Sequence, residues 1–473
     1  MKNKILSTLV STLLVSVNVQ ADQTEQRLKV MEEEITSLKA ELNANKANHN
    51  TSDNLKWGVD FRTSVDNLQY KTADGKTVKN DALLSNRLWL NMAYSPTDHL
   101  HFGGQLAYNK IFGQRNMSNG GMDSFDWVSS ETRYDDSLHV RSAYFNYDDD
   151  QFFGAPVPWS FGIGRRPSTN GKLISYREDD ESTSPLGHIS NAEFDGGNIK
   201  FKLSKLTGLE GSSIKFAAGQ GMSNVQPHFS PTPYADSSSS DTGNIRMYAV
   251  NIVPYHSKNI ETEFQYTHAD NLIDITNAGF DQFGNFNPAN YDPSLQSVGS
   301  LHLASAFVAL HGIQGYGDYL GQTTIFASGA MSKTDPDSGK AMLGSPESET
   351  GYSYWIGTQM PSLISEKGKW GVEFNHGSQY WRSFTYGEDT AIGSKIAARG
   401  DAYELYFTEP LTTGLSFQLR YTYINYDYSG SNGFFGSQSG TPMKISDIPA
   451  NTDLASAVVD KAQDIRAYLR YKF

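Results

Sequence analysis

The chain has 473 residues, a formal net charge of −13, 38% hydrophobic residues and no cysteine. No run of about eighteen apolar residues follows the N-terminus, which excludes membrane helices, and the missing thiols exclude disulfides, thiolate metal sites and covalent haem attachment. The acidity argues against nucleic acid as a partner, while few apolar residues beside 26 Tyr, 25 Phe, 7 Trp and 42 Gly suit a barrel in which lipid asks only every second residue to be apolar.

Residues 1–21 read as an export signal: Lys2 and Lys4, an apolar run from Ile5 to Val17, then Val19-Gln20-Ala21 as a small-residue cleavage site. Cleavage there removes two lysines and takes the charge from −13 to −15. Residues 22–46 switch to helical composition. Leu28, Met31, Ile35, Leu38 and Leu42 recur at alternating spacings of three and four, the apolar seam of a coiled coil. In that register Arg27 with Glu32, Glu34 with Lys39, and Glu41 with Lys46 place opposite charges across the seam. The expectation is a periplasmic helix that self-associates, with a trimer favoured and a dimer open. Residues 47–54 are a polar linker, and residues 55–473 form the barrel.

From residue 55 the texture becomes short alternating runs. Sixteen strands are predicted, over 55–65, 84–94, 100–111, 138–147, 158–166, 194–204, 213–220 and 245–254, then 259–268, 300–310, 322–332, 351–360, 370–379, 401–409, 415–427 and 464–473. The even number puts both ends of the barrel on one side of the membrane. Connections after even strands are short (95–99, 254–258, 410–414), and those after odd strands are mostly long (113–137, 167–191, 222–244, 270–299, 429–461). Short turns on one side and long loops on the other are the pattern of a barrel, and a soluble sandwich has no reason to show it. Trp57, Trp159 and Trp370 each open an odd strand, where they suit an aromatic girdle. In the last strand Ile465, Ala467, Leu469, Tyr471 and Phe473 form an apolar row between polar residues. This ending resembles the C-terminal assembly signal of bacterial outer-membrane barrels, with Leu469, Tyr471 and Phe473 as its residues and the barrel assembly machinery as the partner it implies.

Alternation also assigns faces. Arg62, Arg87, Lys200, Lys202, Lys215, Arg420, Arg466 and Arg470 are candidates to line the lumen, as are Glu261, Glu263, Glu373 and Glu404. A Lys or Arg on the lipid side at mid-depth costs roughly 2–4 kcal/mol, which makes inward placement nearly obligatory. Glu178, Asp179, Asp180 and Glu181, in the connection after the fifth strand, are candidates to fold inward against this basic wall and select solutes by charge and size. No H-E-x-x-H, P-loop or G-x-S-x-G motif is present, and the histidines have no metal-ligand spacing, so no enzyme, metal or cofactor is expected. A hydrolase remains the lesser alternative: Ser378 as nucleophile and His376 as base resemble the His-x-Ser pair of outer-membrane phospholipase, although Gln379-Tyr380 follows where that motif continues Asn-Gly.

Four segments, Gly164–Thr169, Glu373–Trp381, Arg399–Phe407 and Leu419–Ser431, resemble a family of uncharacterised, porin-like bacterial outer-membrane proteins that carry a domain of unknown function, often with an N-terminal coiled coil. The resemblance implies compartment and architecture and carries no substrate or functional residue. The expected protein is an all-β transmembrane antiparallel barrel of about sixteen strands in the outer membrane. It lies among lipid and lipopolysaccharide and passes small hydrophilic solutes or ions, with a weak lean to anions. The runner-up role, from porin-like barrels of this general kind, is a sheath around a multihaem cytochrome.

Overall fold

The computed structural model describes residues 55–112, 138–237, 242–280, 285–313, 315–433, 436 and 440–473. The expected export signal, the helix with Leu28, Met31, Ile35, Leu38 and Leu42, the linker and the 113–137 connection lie outside the described residues.

Sixteen strands form a closed antiparallel barrel. The first four are β1 (Lys56–Thr72), β2 (Thr77–Tyr94), β3 (Leu100–Ile111) and β4 (His139–Asp149). Then come β5 (Trp159–Ser168), β6 (Ala192–Lys202), β7 (Ser213–Met222) and β8 (Ile245–His256). The longest pair, β9 (Ile260–Phe280) and β10 (Phe286–His311), precedes β11 (Thr324–Pro336) and β12 (Thr350–Pro361). The circuit ends with β13 (Lys369–Gly377), β14 (Gly400–Thr412), β15 (Leu415–Tyr426) and β16 (Val459–Lys472). Each strand pairs with its sequence neighbours, and β16 returns to β1 in a register running from Asp60↔Lys472 to Lys71↔Lys461. Val59 and Phe473 exchange two backbone hydrogen bonds of 2.8 and 2.9 Å that complete the seam. Closure removes the unpaired edges that hydrocarbon would leave unsatisfied.

The period of two sets the faces. In β16, Arg466 and Arg470 are buried while Ile465, Leu469 and Tyr471 are exposed. Val372, Leu405, Leu419 and Ile356 continue the exposed apolar band round the wall. Aromatic pairs tie neighbouring strands on that face, with ring centroids 4.7 Å apart for Trp370–Phe407 and 5.0 Å for Phe374–Tyr403. In water such a band would be a large unpartnered patch. Against hydrocarbon it is the expected outer surface of a transmembrane barrel. Trp57, Trp159 and Trp370 stand at the first or second residue of β1, β5 and β13, all at the rim that carries the chain end and the short turns.

The expected long loop at 270–299 is not a loop. The β9–β10 ladder runs on to Phe280↔Phe286, with register shifts at Ala269/Leu272, Leu272/Ile273, Ile275/Asn277 and Ala278/Phe280. The first three shifts each absorb one residue and the last absorbs three, so each flips the alternation and the sequence period is lost while backbone pairing continues. The β1–β2 hairpin likewise reaches past the predicted ends and turns at 73–76, where Gly75 takes a φ of 85° that its lack of a Cβ permits.

Two connections on the long-loop side fold into the barrel. The β5–β6 connection contains a short helix α1 (Ile174–Glu178) and a two-stranded parallel ladder, Gly171–Lys172 with Ser184–Leu186. Its Leu173, Ile174 and Leu186 pack on the inward Phe307, Phe326 and Trp355, and Ile396 of the β13–β14 connection joins them. Trp381 and Phe384 of that second connection pack with Ile189, Met247, Leu301 and Leu303. Burying such side chains inside the lumen supplies the favourable term that holds both loops in place.

Candidate pore

Two backbone hydrogen bonds stitch the two inner loops together, and a third bond closes one of them. Asn191 N–H donates to Phe384 O at 2.6 Å, Phe384 N–H donates to Ile189 O at 3.0 Å, and Trp381 Nε1 closes its own loop by donating to Ile396 O at 2.8 Å. His188 fixes the β5–β6 loop to the wall, with Nδ1 2.8 Å from Ser328 Oγ and Nε2 2.9 Å from Ser353 Oγ. Burial pushes this imidazole down to about 3, so it serves as a neutral hydrogen-bonding post.

On one side of the lumen most charged side chains have a partner of opposite sign. Asp389, from the β13–β14 loop, meets Arg62 Nη1 at 2.6 Å and Arg87 Nη1 at 2.7 Å, and its backbone carbonyl accepts from Arg466 Nη1 at 2.8 Å. Arg466 Nε lies 2.6 Å from Asp66 and Arg470 Nη2 lies 2.5 Å from Asp60. Lys395 of the same loop sits between Glu373 and Glu404, at 2.5 and 2.6 Å. From the other loop, Arg177 reaches Glu388 at 2.5 Å and Glu404 at 3.5 Å. Glu178 accepts from Arg420 and from Tyr468 Oη, both at 3.2 Å. Asp180 is held by Arg470 and Lys472, both at 2.7 Å, and Asp179 meets Lys369 at 2.5 Å. Burial opposes ionisation of the loop carboxyl Asp389, but the Arg62 and Arg87 guanidiniums overcome it and hold that group well below the ordinary carboxylate range. Burial likewise works against Glu178, and Arg177 and Arg420 hold it far down in the same way.

The opposite wall differs. Lys172 engages Glu261 and Glu263 at 2.9 and 3.0 Å, which uses the acids of that region. Lys200 on β6 and Lys215 on β7 are direct cross-strand partners, and Lys202 follows two residues along on the same face. Among the described residues no carboxylate pairs with any of these three. Beside them lies a cavity of about 470 Å³, whose lining includes Lys172, Lys200, Lys202 and Lys215, one carboxylate, Glu263, and the neutral Ser213 and Asn251. A second, about 70 Å³, shares Thr183, Lys215 and Asn251 with it and continues past Arg166 to Phe194 and Met247. Arg166 is held by Asn146 Oδ1 at 2.6 Å and by the Tyr144 ring, 4.2 Å from its centroid, and meets no carboxylate among the described residues. Among the described residues, these two cavities mark a basic crescent between the loop plug and the β5–β8 wall.

Glu181 is exposed, and its backbone carbonyl accepts from Asn170 Nδ2 at 3.3 Å. His376 Nδ1 lies 2.8 Å from Asp401 and its ring stacks on Tyr354. Ser378 lies one residue past β13, where its Oγ accepts from Tyr352 N–H at 2.8 Å. No hydrogen bond joins His376 to Ser378 among the described residues. Sequence reasoning missed Arg177, Glu388, Asp389 and Lys395, and with them the whole inward fold of residues 378–399. A signal was present: Trp381, Phe384, Ile392 and Ile396 are too apolar for a solvated loop.

A closed sixteen-stranded wall, apolar outside and ionic within, defines a transmembrane β-barrel of the outer-membrane type, with two of its own loops in the lumen. The chain belongs to the family described as Protein of unknown function (DUF3373), whose model matches residues 77–473. Among solved structures it is similar to the anion-selective porin from Comamonas acidovorans at 10% identity and a TM-score of 0.49, covering 89% of this chain and 99% of that one. It is similar to OprB of Pseudomonas putida at 13% identity and a TM-score of 0.47, covering 89% and 94%. It is also similar to OmpT, an outer membrane protein of Vibrio cholerae, at 12% identity and a TM-score of 0.45, covering 89% and 98%. No curated protein matches the sequence.

Proposed function

We propose that the barrel is a porin-like channel of the outer membrane that lets small hydrophilic solutes or ions diffuse along the basic crescent. The observation that carries this reading is the pair of neighbouring cavities on the β5–β8 wall, which share Thr183, Lys215 and Asn251 and lie beside a region where the inner loops pair with the wall. Selectivity then comes from the fixed cations on the wall and from the narrowness the two loops impose. The lumen-lining roles of Arg62, Arg87, Arg420, Arg466 and Arg470 are those of anchors for the plug, while Lys200, Lys202 and Lys215 face the solute path. The loops occupy the space that a cytochrome threaded through the barrel would need, which favours a channel over a sheath. In this reading residues 1–21 direct export, residues 22–46 extend into the periplasm and assemble a trimer, and the Phe473 ending engages the assembly machinery.

Purified full-length protein in a planar bilayer should give discrete conductance steps, smaller than those expected of an unobstructed sixteen-stranded pore. Folded, heat-modifiable protein that yields no steps would overturn the channel. Co-purification of a haem protein in place of conductance would point to the sheath.

A further inference from the structure

We propose that Lys200, Lys202 and Lys215 form a binding site for small oxyanions of charge −2 or more, of the phosphate or dicarboxylate class, within the turn-side cavity. As a selectivity site for the solute path it rests on the channel reading; as a binding site it stands alone.

The first support is a contrast inside one molecule. Arg62, Arg87, Arg177, Lys395, Arg420, Arg466 and Arg470 each have a carboxylate within 4.0 Å. Lys200, Lys202 and Lys215 have none among the described residues, although Glu261 and Glu263 stand nearby and are drawn instead to Lys172. The second is register. Lys200 and Lys215 lie opposite each other on β6 and β7, an arrangement of like charges that weakens a sheet unless something sits between them. The third is space and neutral chemistry. The cavity of about 470 Å³ holds several water-sized bodies or one small solute, and Ser213, Thr183 and Asn251 add hydroxyl and amide groups to its wall. The cavity wall also carries one carboxylate, Glu263, which Lys172 already engages; three further ammonium groups leave an excess of positive charge that favours a ligand carrying more than one negative charge over chloride.

Lysine also suits the task better than arginine. Its ammonium is a compact, strongly hydrated charge on a flexible stem, with rotatable donors and no rigid fork. It attracts an oxyanion without locking it, and a solute site in a channel must release what it binds.

The test uses full-length protein in detergent and in planar bilayers, with inorganic phosphate and succinate as separate probes. The expected result is saturable binding of one or both by calorimetry, and concentration-dependent block of chloride current. A K200Q/K202Q/K215Q variant that keeps heat-modifiable folding should bind at least tenfold more weakly and shift its reversal potential toward cations. A K200R/K202R/K215R variant should keep binding. Phosphate acting well below the concentration needed for succinate would assign the tetrahedral oxyanion, and the reverse order would assign the dicarboxylate. Binding lost in the glutamine variant, with no current from either protein, would keep the site and remove the channel. Chloride current with no binding, or binding unchanged in the glutamine variant, would overturn the site and leave the channel standing.

Discussion

The two sides of the lumen obey different rules. On the side of β1, β2 and β13–β16, the inward arginines of the strands meet acids, and Asp389, Glu178 and Asp180 among those acids come from loops that have folded in to supply them. On the side of β6 and β7, lysines face one another across the sheet with open volume in front of them. Composition does not separate the two, since both walls are basic. What separates them is whether a second piece of chain arrives. Charge on a barrel wall is structural where a loop neutralises it and available to solute where none does.

Removing the plug tests this difference most severely. Replacing residues 380–397 with a short Gly-Ser link should raise single-channel conductance severalfold, because Asp389, Lys395 and the apolar anchors leave together. An unchanged conductance would mean that the crescent alone sets the current.

A single change on the matched side comes next. Asp389→Asn leaves Arg62 and Arg87 without their shared carboxylate, and breaking a buried pair costs about 3–5 kcal/mol. The temperature at which the protein loses its compact gel mobility should fall, and channel noise should rise.

The pH dependence follows from the same residues. A carboxyl whose folded pKa is depressed contributes stability that is present above its unfolded value and is lost as pH falls through the folded one. Asp389 and Glu178 are both held well below their ordinary values of 3.8 and 4.5. The plug should therefore stay in place from pH 7 down to 4, and conductance steps recorded across that range should keep one size. A step-size change near pH 5 would show that other groups hold the loops.

The smallest expected effect lies on the open side. Lys215→Glu turns a facing pair of like charges into an opposite pair, worth roughly 0.2–1 kcal/mol. Slightly greater heat resistance should accompany a weaker preference for anions. A loss of heat resistance would mean that the two lysines are already screened from each other.

Much of the wall could be read from the sequence, because lipid imposes a strict period of two and the chain must return at short turns. All sixteen predicted runs fall on strands, and Arg466 beside Ile465, or Glu404 beside Leu405, shows the rule residue by residue. The rule fails where lipid no longer enforces it. Beyond the rim the β9–β10 ladder carries bulges that scramble alternation, so pairing survives without its signature. The plug was harder still. Its acids in 178–180 are visible as a charge run, but their partners, Arg420, Arg470 and Lys369, lie hundreds of positions away, and no local pattern reports such a meeting. For 378–399 the apolar content was a clue to burial and not to where the burial occurs. The unpaired state of Lys200 and Lys215 was legible least of all, since it depends on where Glu261 and Glu263 turn.

The stitches between the two inner loops carry a mechanical consequence. Phe384 bonds Asn191 and Ile189 through its backbone, and Arg177 of one loop grips Glu388 of the other, so the two segments are tied to move together. Any opening of this barrel has to lift both at once. Current should therefore jump between two levels and not drift through many, and a covalent tether on either segment should silence the larger one.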